Sequence, residues 1–332
     1  MGEELDEEEV DEVEDGNDKD DNEGKADNDN EGDNEGDNDN EGGNDNDNSN
    51  DGQDDDDDDD DEEDGENLDV VRLADEPPHA WDRRVEIEKR IHALDEEHSN
   101  SPNPTYSKFP LPGAVALLSD PKREHVIPFP IVRMGTPGRF RLDKKYCWRY
   151  MGREKFADLL NELQLVQSKS NYKRLWVHGT SGYGKSHLLA ALVCYLAALD
   201  NQVIYLPDCR LCLENPIEHL QTAMLFAWTD EGTQNEILTL DTEEKIKKFL
   251  GKQDDVLFVI DQMDALSEAN TENNEDKVKL RALIDNLISS RKAVLGTSAN
   301  DQEYLKRQIS ENNDRTMRVY GGFTKVCLNI GK

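Results

Sequence analysis

The sequence predicts an α/β fold in which a parallel β-sheet follows a long, disordered, acidic tail. Three observations support this prediction. Acidic residues are concentrated in residues 1–66, segments of strand and helix type alternate from about residue 150, and a glycine-rich turn joins one such strand to the next helix. Strands rich in Val, Ile and Leu that alternate with helices are typical of parallel sheets with helices on both faces.

The tail accounts for almost all of the net charge of −37. Residues 1–66 contain 37 of the 75 acidic residues but only two of the 38 basic ones, Lys19 and Lys25. The other 266 residues carry 38 acidic and 36 basic side chains, so the body of the protein is nearly neutral. Because the tail has no aromatic residue and few apolar ones, it cannot bury enough apolar surface to offset its conformational entropy. We expect the tail to be disordered.

Two segments make up residues 67–149, ahead of the alternating part. Residues 81–95 predict an amphipathic helix whose apolar side is formed by Trp81, Val85, Ile91 and Leu94. Residues 99–138 are rich in proline, which disfavours regular helices and central strands. We therefore expect the second segment to be extended and wrapped on the body.

Strand and helix patterns alternate through residues 150–332, which we predict to be one domain. The first helix, over 152–166, has apolar residues at helical spacing, namely Phe156, Leu159, Leu160 and Leu163. Further helices are predicted at 186–199, 215–228, 242–250 and around 280–288. The helix at 215–228 has Asn215 as its predicted N-cap. Strands are predicted at 174–179, 202–207, 255–261, 292–300 and 317–320.

The glycine-rich turn matches the phosphate-binding motif G-x-x-x-x-G-K-[ST]. The motif consists of Gly179, Thr180, Ser181, Gly182, Tyr183, Gly184, Lys185 and Ser186, and His187 continues into the helix. Glycines let backbone N–H groups turn toward phosphate oxygens, and the helix N-terminus adds positive potential. The lysine suits the β- and γ-phosphates of ATP, and the serine hydroxyl suits Mg²⁺. A chance match in a glycine-serine turn is the alternative, but the preceding strand and the following buried helix favour a P-loop NTPase.

A second anchor for Mg²⁺ is expected on a neighbouring strand. Asp261 ends the most apolar strand of the chain, "DVLFVID". Ligands of open α/β sheets bind beyond the carboxyl ends of the strands, where this carboxylate is expected to lie. An ordinary aspartate at a strand end is the alternative interpretation.

The strand over residues 292–300 resembles the extra strand that ATPases of the AAA+ and STAND types insert between their two magnesium-binding strands. Such a strand usually ends in a polar sensor of the γ-phosphate. Thr297, Ser298 and Asn300 are the candidates here, with Asn300 favoured and Ser298 second. Simple turn chemistry is the alternative, because Ser and Asn favour strand ends.

Residues 150–160 resemble an element of the same ATPases that covers the nucleotide base. The element has an aromatic or apolar residue followed by Gly-Arg-Glu, and Tyr150, Gly152 and Arg153 match it. An ordinary amphipathic helix is the alternative.

The residue after Asp261 bears on hydrolysis. AAA+ enzymes usually have Glu at that position, and this chain has Gln262. A glutamine orients a water molecule by hydrogen bonds but does not accept its proton. Asp264 is a second candidate catalyst two residues further on. We expect ATP binding with slow hydrolysis, and the sequence assigns no arginine finger among Arg307, Arg315 and Arg318.

Three sequence segments resemble the NTPase module of Crinkler-type proteins, to which a module of the retrotransposon hot spot proteins is related. They are "HGTSGYGKSHLLAAL" (178–192), "VIYLPDCR" (203–210) and "FVIDQMDAL" (258–266), and the resemblance extends over roughly residues 126–324. It implies an ATP-dependent module in which Gln262 is a family trait, whereas the family more often has Asn in place of Asp264. It also implies a link to nucleic acid, because the module is often followed by a nuclease-like domain. Since the chain ends soon after "GGFT" (321–324), we expect it to lack a C-terminal lid and a nuclease.

The rest of the sequence narrows location and partners. It has no transmembrane run and no secretory signal, and its five cysteines are scattered, which favours an intracellular protein of the cytoplasm or nucleus. Cys209 and Cys212 have CxxC spacing, but without further ligands two semi-buried thiols are favoured over zinc.

Three functional hypotheses follow. The first is a Mg·ATP-binding P-loop NTPase with slow hydrolysis, in which Lys185, Gln262 and Asp264 are the candidate catalytic residues. The second is a non-hydrolysing, nucleotide-gated interaction protein whose tail binds basic proteins such as histones. The third is an inactive, truncated member of a mobile-element-related family. The base preference and the oligomeric state stay open.

Overall fold

The computed structural model describes residues 79–99, 104–133, 135, 137–267, 274–298, 305–306, 309 and 314–320. The chain divides into two units, Met1–Asn67 and Leu68–Lys332, and every described residue belongs to the second unit. The acidic tail, Asn300, Arg307 and the C-terminal residues 321–332 lie outside the described residues.

Regular elements account for most of the described chain. The helices, in chain order, are α1 (Ala80–Ser99), α2 (Pro112–Ser119), α3 (Lys155–Ser168), α4 (Lys185–Ala198), α5 (Pro216–Ala227), α6 (Glu231–Leu238), α7 (Glu243–Leu250) and α8 (Asn274–Ile288). The strands are β1 (Glu124–Pro128), β2 (Cys147–Met151), β3 (Arg174–Gly179), β4 (Val203–Leu206), β5 (Leu257–Ile260), β6 (Lys292–Ser298) and β7 (Arg315–Arg318). None of the described helices is both long and apolar enough to cross a bilayer.

Strands β3 to β7 form one parallel sheet in the order β4-β5-β6-β3-β7. All residues of β4 and β5 are buried, as expected for strands with both faces covered. Strand β6 lies between β5 and β3, so the predicted extra strand separates the strand that precedes the phosphate loop from the strand that precedes Asp261. The predicted α/β fold of P-loop NTPase type is therefore confirmed.

The edge strand β7 starts two residues earlier than the sequence predicted. Its pairing with β3 begins where Arg315 lies opposite Leu175, and an indole hydrogen bond from Trp176 to Asp314 (2.9 Å) fixes the approach. Of the four residues of β7 only Met317 is buried. The sequence prediction relied on apolar residues and therefore began the strand at Met317, two residues too late.

The proline-rich stretch is more regular than predicted. It contains helix α2 and strand β1, and β1 pairs antiparallel with β2. Pro112 occupies the first turn of α2, where its missing N–H costs no hydrogen bond. The Asp95 carboxylate of α1 accepts hydrogen bonds from the N–H groups of Gly113 (2.8 Å) and Ala114 (3.1 Å), so the cap of α2 comes from another helix.

Two further differences from the sequence predictions concern helix ends. Asn215 occupies the N-cap position of α5, as predicted, but its side chain makes no capping hydrogen bond. Helix α6 was not predicted, because Ile237 is its one buried residue and the apolar period is absent. Its N-terminus is instead capped by Asp230, whose side chain accepts from the N–H of Thr233 (2.8 Å).

Helix α1 packs on α4 and α5 and extends the core. Ile87, Ile91 and Leu94 have no exposed surface, whereas Val85 is 41% exposed and was wrongly assigned to the apolar side. The buried side of α1 instead includes Arg84, which is 1% exposed. A rule that places only apolar residues inside does not find this residue.

The guanidinium of Arg84 lies between the C-terminal ends of α4 and α5. It donates hydrogen bonds to the carbonyl oxygens of Ala227 (2.9 Å), Asn201 (3.1 Å) and Ala197 (3.3 Å). The last carbonyls of a helix have no partner within that helix, and they carry negative potential. The arginine therefore supplies hydrogen-bond donors to carbonyl groups at the C-terminal ends of two helices and connects α1 to both.

We predict that Arg84→Met lowers the free energy of unfolding by about 3–5 kcal/mol, the usual cost of removing one partner from a buried charged network. The matched control is Lys89→Met, on the exposed side of the same helix. It should change stability by less than about 0.5 kcal/mol. Urea denaturation of both variants measures the difference, and equal stabilities would contradict the role given to Arg84.

Candidate nucleotide-binding site

The phosphate loop connects β3 to α4, and all three of its glycines have a positive φ that side chains rarely adopt, while two of them also allow a close approach. Gly179 has φ of 149°, and a Cβ at this position would lie 2.1 Å from the carbonyl oxygen of Val319. Gly184 has φ of 77°, and a Cβ there would lie 2.2 Å from the guanidinium of Arg153. Both positions combine a left-handed conformation with a close approach, which only glycine tolerates without strain.

The side chain of Lys185 folds back across the loop. Its ammonium group donates hydrogen bonds to the carbonyl oxygens of Gly179 (2.7 Å) and Thr180 (3.1 Å). Burial lowers the pKa of this ammonium group, although the charges of Asp261 and Asp264 act in the opposite direction. The ammonium group thus lies inside the curve of the phosphate loop, where an anion would bind.

Asp261 follows β5 and has no exposed surface. One carboxylate oxygen accepts a hydrogen bond from the N–H of Gln262 (2.9 Å), and the other lies 3.1 Å from a guanidinium nitrogen of Arg139. The hydroxyl of Ser186 also hydrogen-bonds to this side chain. Burial raises the pKa of the Asp261 carboxyl, and these neighbours reduce the shift.

Gly296, in the middle of β6, makes room for this carboxylate. A Cβ at residue 296 would lie 2.4 Å from an Asp261 oxygen and 2.7 Å from the side chain of Leu189. Gly296 was not among the residues for which the sequence predicted a role. An isolated glycine inside a strand pattern was the available signal, because it often marks a close approach.

Lys185 and Ser186 line one cavity of about 540 Å³, and Asp261 lies buried behind Ser186. The cavity wall combines phosphate-loop residues, including Lys185 and Ser186, with side chains from elsewhere in the chain, namely Arg139, Arg153, Gln262, Asp264 and Ser298. Within the described residues no cluster of three or more His, Cys, Asp or Glu side chains forms a metal cage. A serine hydroxyl and one carboxylate in contact are nevertheless the kind of oxygen donors with which proteins hold Mg²⁺ next to phosphates.

The element predicted to cover the nucleotide base is only partly at the cavity. Arg153 lines the cavity and donates a hydrogen bond to the carbonyl oxygen of Tyr183 (2.9 Å). Tyr150 is fully buried in β2 and donates its hydroxyl to the carbonyl of Leu118 (3.1 Å), so it lies in the core instead. Gly152 is needed for packing, because a Cβ there would lie 2.2 Å from the Asp120 carbonyl oxygen.

Asp264 and the end of β6 are joined by two hydrogen bonds. The carboxylate of Asp264 accepts from the N–H of Ser298 (3.1 Å) and from its hydroxyl (2.7 Å). The candidate sensor and the candidate catalyst are thus partners of each other in this structure. Gln262 has φ of 63°, an uncommon conformation for a residue with a side chain.

Arg139 is the cavity residue that the sequence analysis missed. It lies in the loop between β1 and β2, and it forms ion pairs with Asp208 (2.7 Å) and Asp261 (3.1 Å). Burial favours a higher pKa for the Asp208 carboxyl, but hydrogen bonds from Arg210 and Arg139 prevail and lower it. No local motif marks Arg139, because its partners are 69 and 122 residues away in sequence.

His187 lines the cavity, and the cysteine pair Cys209 and Cys212 is buried nearby, after β4. The imidazole of His187 stacks on Phe140 at 4.7 Å between ring centroids, and burial, followed by the charges of Arg153 and Arg139, lowers its pKa to about 4. The thiols of Cys209 and Cys212 are buried, and burial raises the pKa of both. All three side chains are therefore uncharged near neutral pH.

The remaining arginine candidates are not at the cavity. Arg315 donates a hydrogen bond to Glu162 (2.6 Å) and lies over the ring of Tyr172. Arg318 is exposed in β7. Neither lines the cavity wall.

Residues 173–325 match the sequence model of the NACHT domain. The matched span includes the phosphate loop and strands β3 to β7. This match supports a P-loop NTPase of the STAND and AAA+ type, while the Crinkler-type assignment stays a hypothesis. No curated protein matches the chain.

Among the solved structures that resemble the chain are two with TM-scores of 0.32. One is a DNA replication initiation factor, with 17% identity over 50% of this chain and 46% of the other. The other is AMPPCP-bound DnaA from Aquifex aeolicus, with 18% identity over 49% of this chain and 44% of the other. The chain thus spans less than half the length of either structure.

We predict that Gly296→Ala lowers the free energy of unfolding by about 1–3 kcal/mol, the usual cost of overpacking a core. The matched control is Gly232→Ala in α6, where the nearest atom to an added Cβ is 3.7 Å away. That change should leave stability unaltered or raise it by up to about 1 kcal/mol, since Ala favours helices. Thermal unfolding distinguishes the two variants, and an unaffected Gly296→Ala protein would contradict the close contact with Asp261.

Proposed function

We propose that this protein binds Mg·ATP in the 540 Å³ cavity and acts as a nucleotide-dependent P-loop NTPase. The observation that carries the proposal is that Lys185 and Ser186 line one cavity beside a glycine-rich loop, while the buried carboxylate of Asp261 is hydrogen-bonded to Ser186. These residues come from the loop and from a strand two positions away in the sheet. Such an arrangement suits a polyphosphate and its cation.

The roles follow from the chemistry of each group. Backbone N–H groups of residues 179–187 and the N-terminus of α4 would contact the phosphate oxygens. The ammonium of Lys185 would exchange its carbonyl partners for the β- and γ-phosphates, and Arg153 would lie beside them. Ser186 and Asp261 would hold Mg²⁺, which supplies charge neutralisation for the bound phosphates.

We further propose that the protein hydrolyses the bound ATP slowly. Gln262 lines the cavity beside Asp261 and would orient the attacking water through its amide. Asp264 is the nearest further carboxylate along the chain, but both of its oxygens accept hydrogen bonds from Ser298. Asp264 is the one carboxylate in the described part of the cavity wall, and because it is engaged with Ser298, turnover is expected to be slow.

A second candidate function is nucleotide-gated interaction without hydrolysis. The pairing of Asp264 with Ser298 favours it, because a γ-phosphate that attracts the serine hydroxyl would release the carboxylate and shift the loop after β5. The acidic residues 1–66, with a net charge of −35, would then capture basic proteins, and salt would weaken that binding. A Crinkler-type module with a link to nucleic acid is compatible with either function and rests on the sequence resemblance alone.

We predict that Lys185→Ala abolishes ATP binding, because the loop then lacks the cation that offsets the phosphate charge. The matched control is Lys247→Ala, on the partly exposed surface of α7, which should bind ATP with unchanged affinity. Isothermal titration calorimetry of the full chain with Mg·ATP measures both. An unchanged affinity of the Lys185→Ala protein would refute the proposed site.

We predict that the full chain hydrolyses ATP more slowly than about 10 s⁻¹, the ordinary enzyme median. Gln262→Ala should reduce the rate by at least about tenfold, equivalent to ~1.4 kcal/mol of barrier. Gln253→Ala, which lies at the opposite end of the sheet, should have no effect. Phosphate release is measured with Lys185→Ala as the background. Absence of turnover in a protein that binds ATP would favour the nucleotide-gated function.

A further inference from the structure

The loop between β1 and β2 is fastened to the phosphate-loop helix by an aromatic side chain. Phe140 is buried and stacks on His187, the third residue of α4, and it also packs edge-on against Trp148 of β2. The N–H of Phe140 donates to the carbonyl of Pro137 (2.9 Å), which closes a turn around Arg139. The position of Arg139 beside the nucleotide cavity is thus set by the packed Phe140 that follows it and by the turn from Pro137.

The guanidinium of Arg139 bridges two buried carboxylates. One terminal nitrogen lies 2.7 Å from Asp208, and the other lies 3.1 Å from Asp261 and also donates to the carbonyl of Pro207. The carboxylates are 3% and 0% exposed, whereas Arg139 is 22% exposed. Arg139 therefore compensates the buried charge of Asp261. It shares the compensation of Asp208 with Arg210, which donates to the same carboxylate (2.6 and 3.0 Å).

The Asp261 carboxylate would have two competing partners once nucleotide binds, namely Arg139 and Mg²⁺. The proposed function requires Asp261 to hold Mg²⁺ together with Ser186. A guanidinium and a magnesium ion on one carboxylate repel each other, and the repulsion is strong where water is excluded. The resting contact between Arg139 and Asp261 is therefore in competition with the metal.

We propose that Arg139 is the resident counter-ion of the magnesium site. Mg²⁺ that arrives with the nucleotide displaces the guanidinium from Asp261, and Asp208 retains it within reach of the phosphates. The protein thereby keeps its metal anchor neutralised when empty and gains a cation for the phosphates when loaded. This inference rests on the proposed binding of Mg·ATP.

A purely structural role for Arg139 makes a different prediction. An arginine that only ties the β1–β2 loop to the sheet would, when removed, weaken nucleotide binding to the same extent with and without Mg²⁺. A competing counter-ion has opposite effects under the two conditions, because its removal helps the metal and deprives metal-free nucleotide of a cation. The dependence of nucleotide affinity on Mg²⁺ separates these roles.

The test uses the full chain and a fluorescent, non-hydrolysable ATP analogue, titrated in EDTA and at increasing MgCl₂. In Arg139→Met we expect the Mg²⁺ concentration at half-maximal binding to fall about tenfold, the factor that ~1.4 kcal/mol represents. Affinity for the analogue in EDTA should fall. Arg149→Met, which removes an exposed arginine paired with Glu124 on β2, is the control and should resemble the unchanged chain.

Two further variants keep the test decisive if Arg139→Met does not fold, as judged by circular dichroism. Asp208→Asn removes the carboxylate that retains the guanidinium, so the Mg²⁺ requirement should rise about tenfold, by the same conversion. Arg139→Lys keeps a charge that cannot bridge both carboxylates, so the Mg²⁺ requirement should fall by a smaller factor than in Arg139→Met.

Each outcome decides one point. Folded Arg139 variants with an unchanged or increased Mg²⁺ requirement would overturn the counter-ion role and leave the proposed function standing. An unchanged or lower requirement in Asp208→Asn would do the same. A full chain that binds no analogue at any MgCl₂ concentration would overturn the proposed function, and the role of Arg139 would fall with it.

Discussion

An ionised carboxylate without exposed surface is costly unless its neighbours compensate it, and Asp261 imposes this constraint on the centre of the sheet. Each neighbour answers it differently. Gly296 has no side chain, which leaves space for the carboxylate. Gln262 has a left-handed backbone conformation and donates its N–H to the carboxylate. Ser186 contributes a hydroxyl and Arg139 a positive charge. The phosphate-loop helix, strand β6 and the β1–β2 loop thus each contribute a residue to the surroundings of this one buried charge.

Arginines hold the segment before residue 150 together and connect it to the parallel sheet and its helices. Arg84 satisfies carbonyls at the ends of α4 and α5, and Arg83 donates to the carbonyls of Phe129 (3.2 Å) and Tyr146 at the base of the β1–β2 loop. Arg139 joins the same loop to the carboxylates beside the cavity. A planar guanidinium with five donors suits this task, since it reaches several acceptors from one buried position.

Elements with strong apolar patterns agreed with the sequence, and elements stabilised by polar or distant contacts did not. Strand β3 and helix α4 lie within one residue of their predicted bounds because burial on both faces produces long apolar runs. Helix α2 depends on a cap from Asp95 of another helix, and α6 depends on Asp230 with little burial. Such contacts produce no apolar periodicity in the sequence. The proline content around α2 and the polarity of α6 therefore did not indicate a helix.

The sequence by itself determined the glycine-rich phosphate loop, the strand that ends at Asp261 and the parallel α/β fold, because each is written in neighbouring residues. Only the tertiary structure decided that Arg139 contacts Asp261, that Ser298 occupies both oxygens of Asp264 and that Tyr150 is buried in the core. These contacts join residues 32 to 122 positions apart. Local patterns report burial and backbone preference, whereas the partner of a buried charge is chosen by the packing that brings distant segments together.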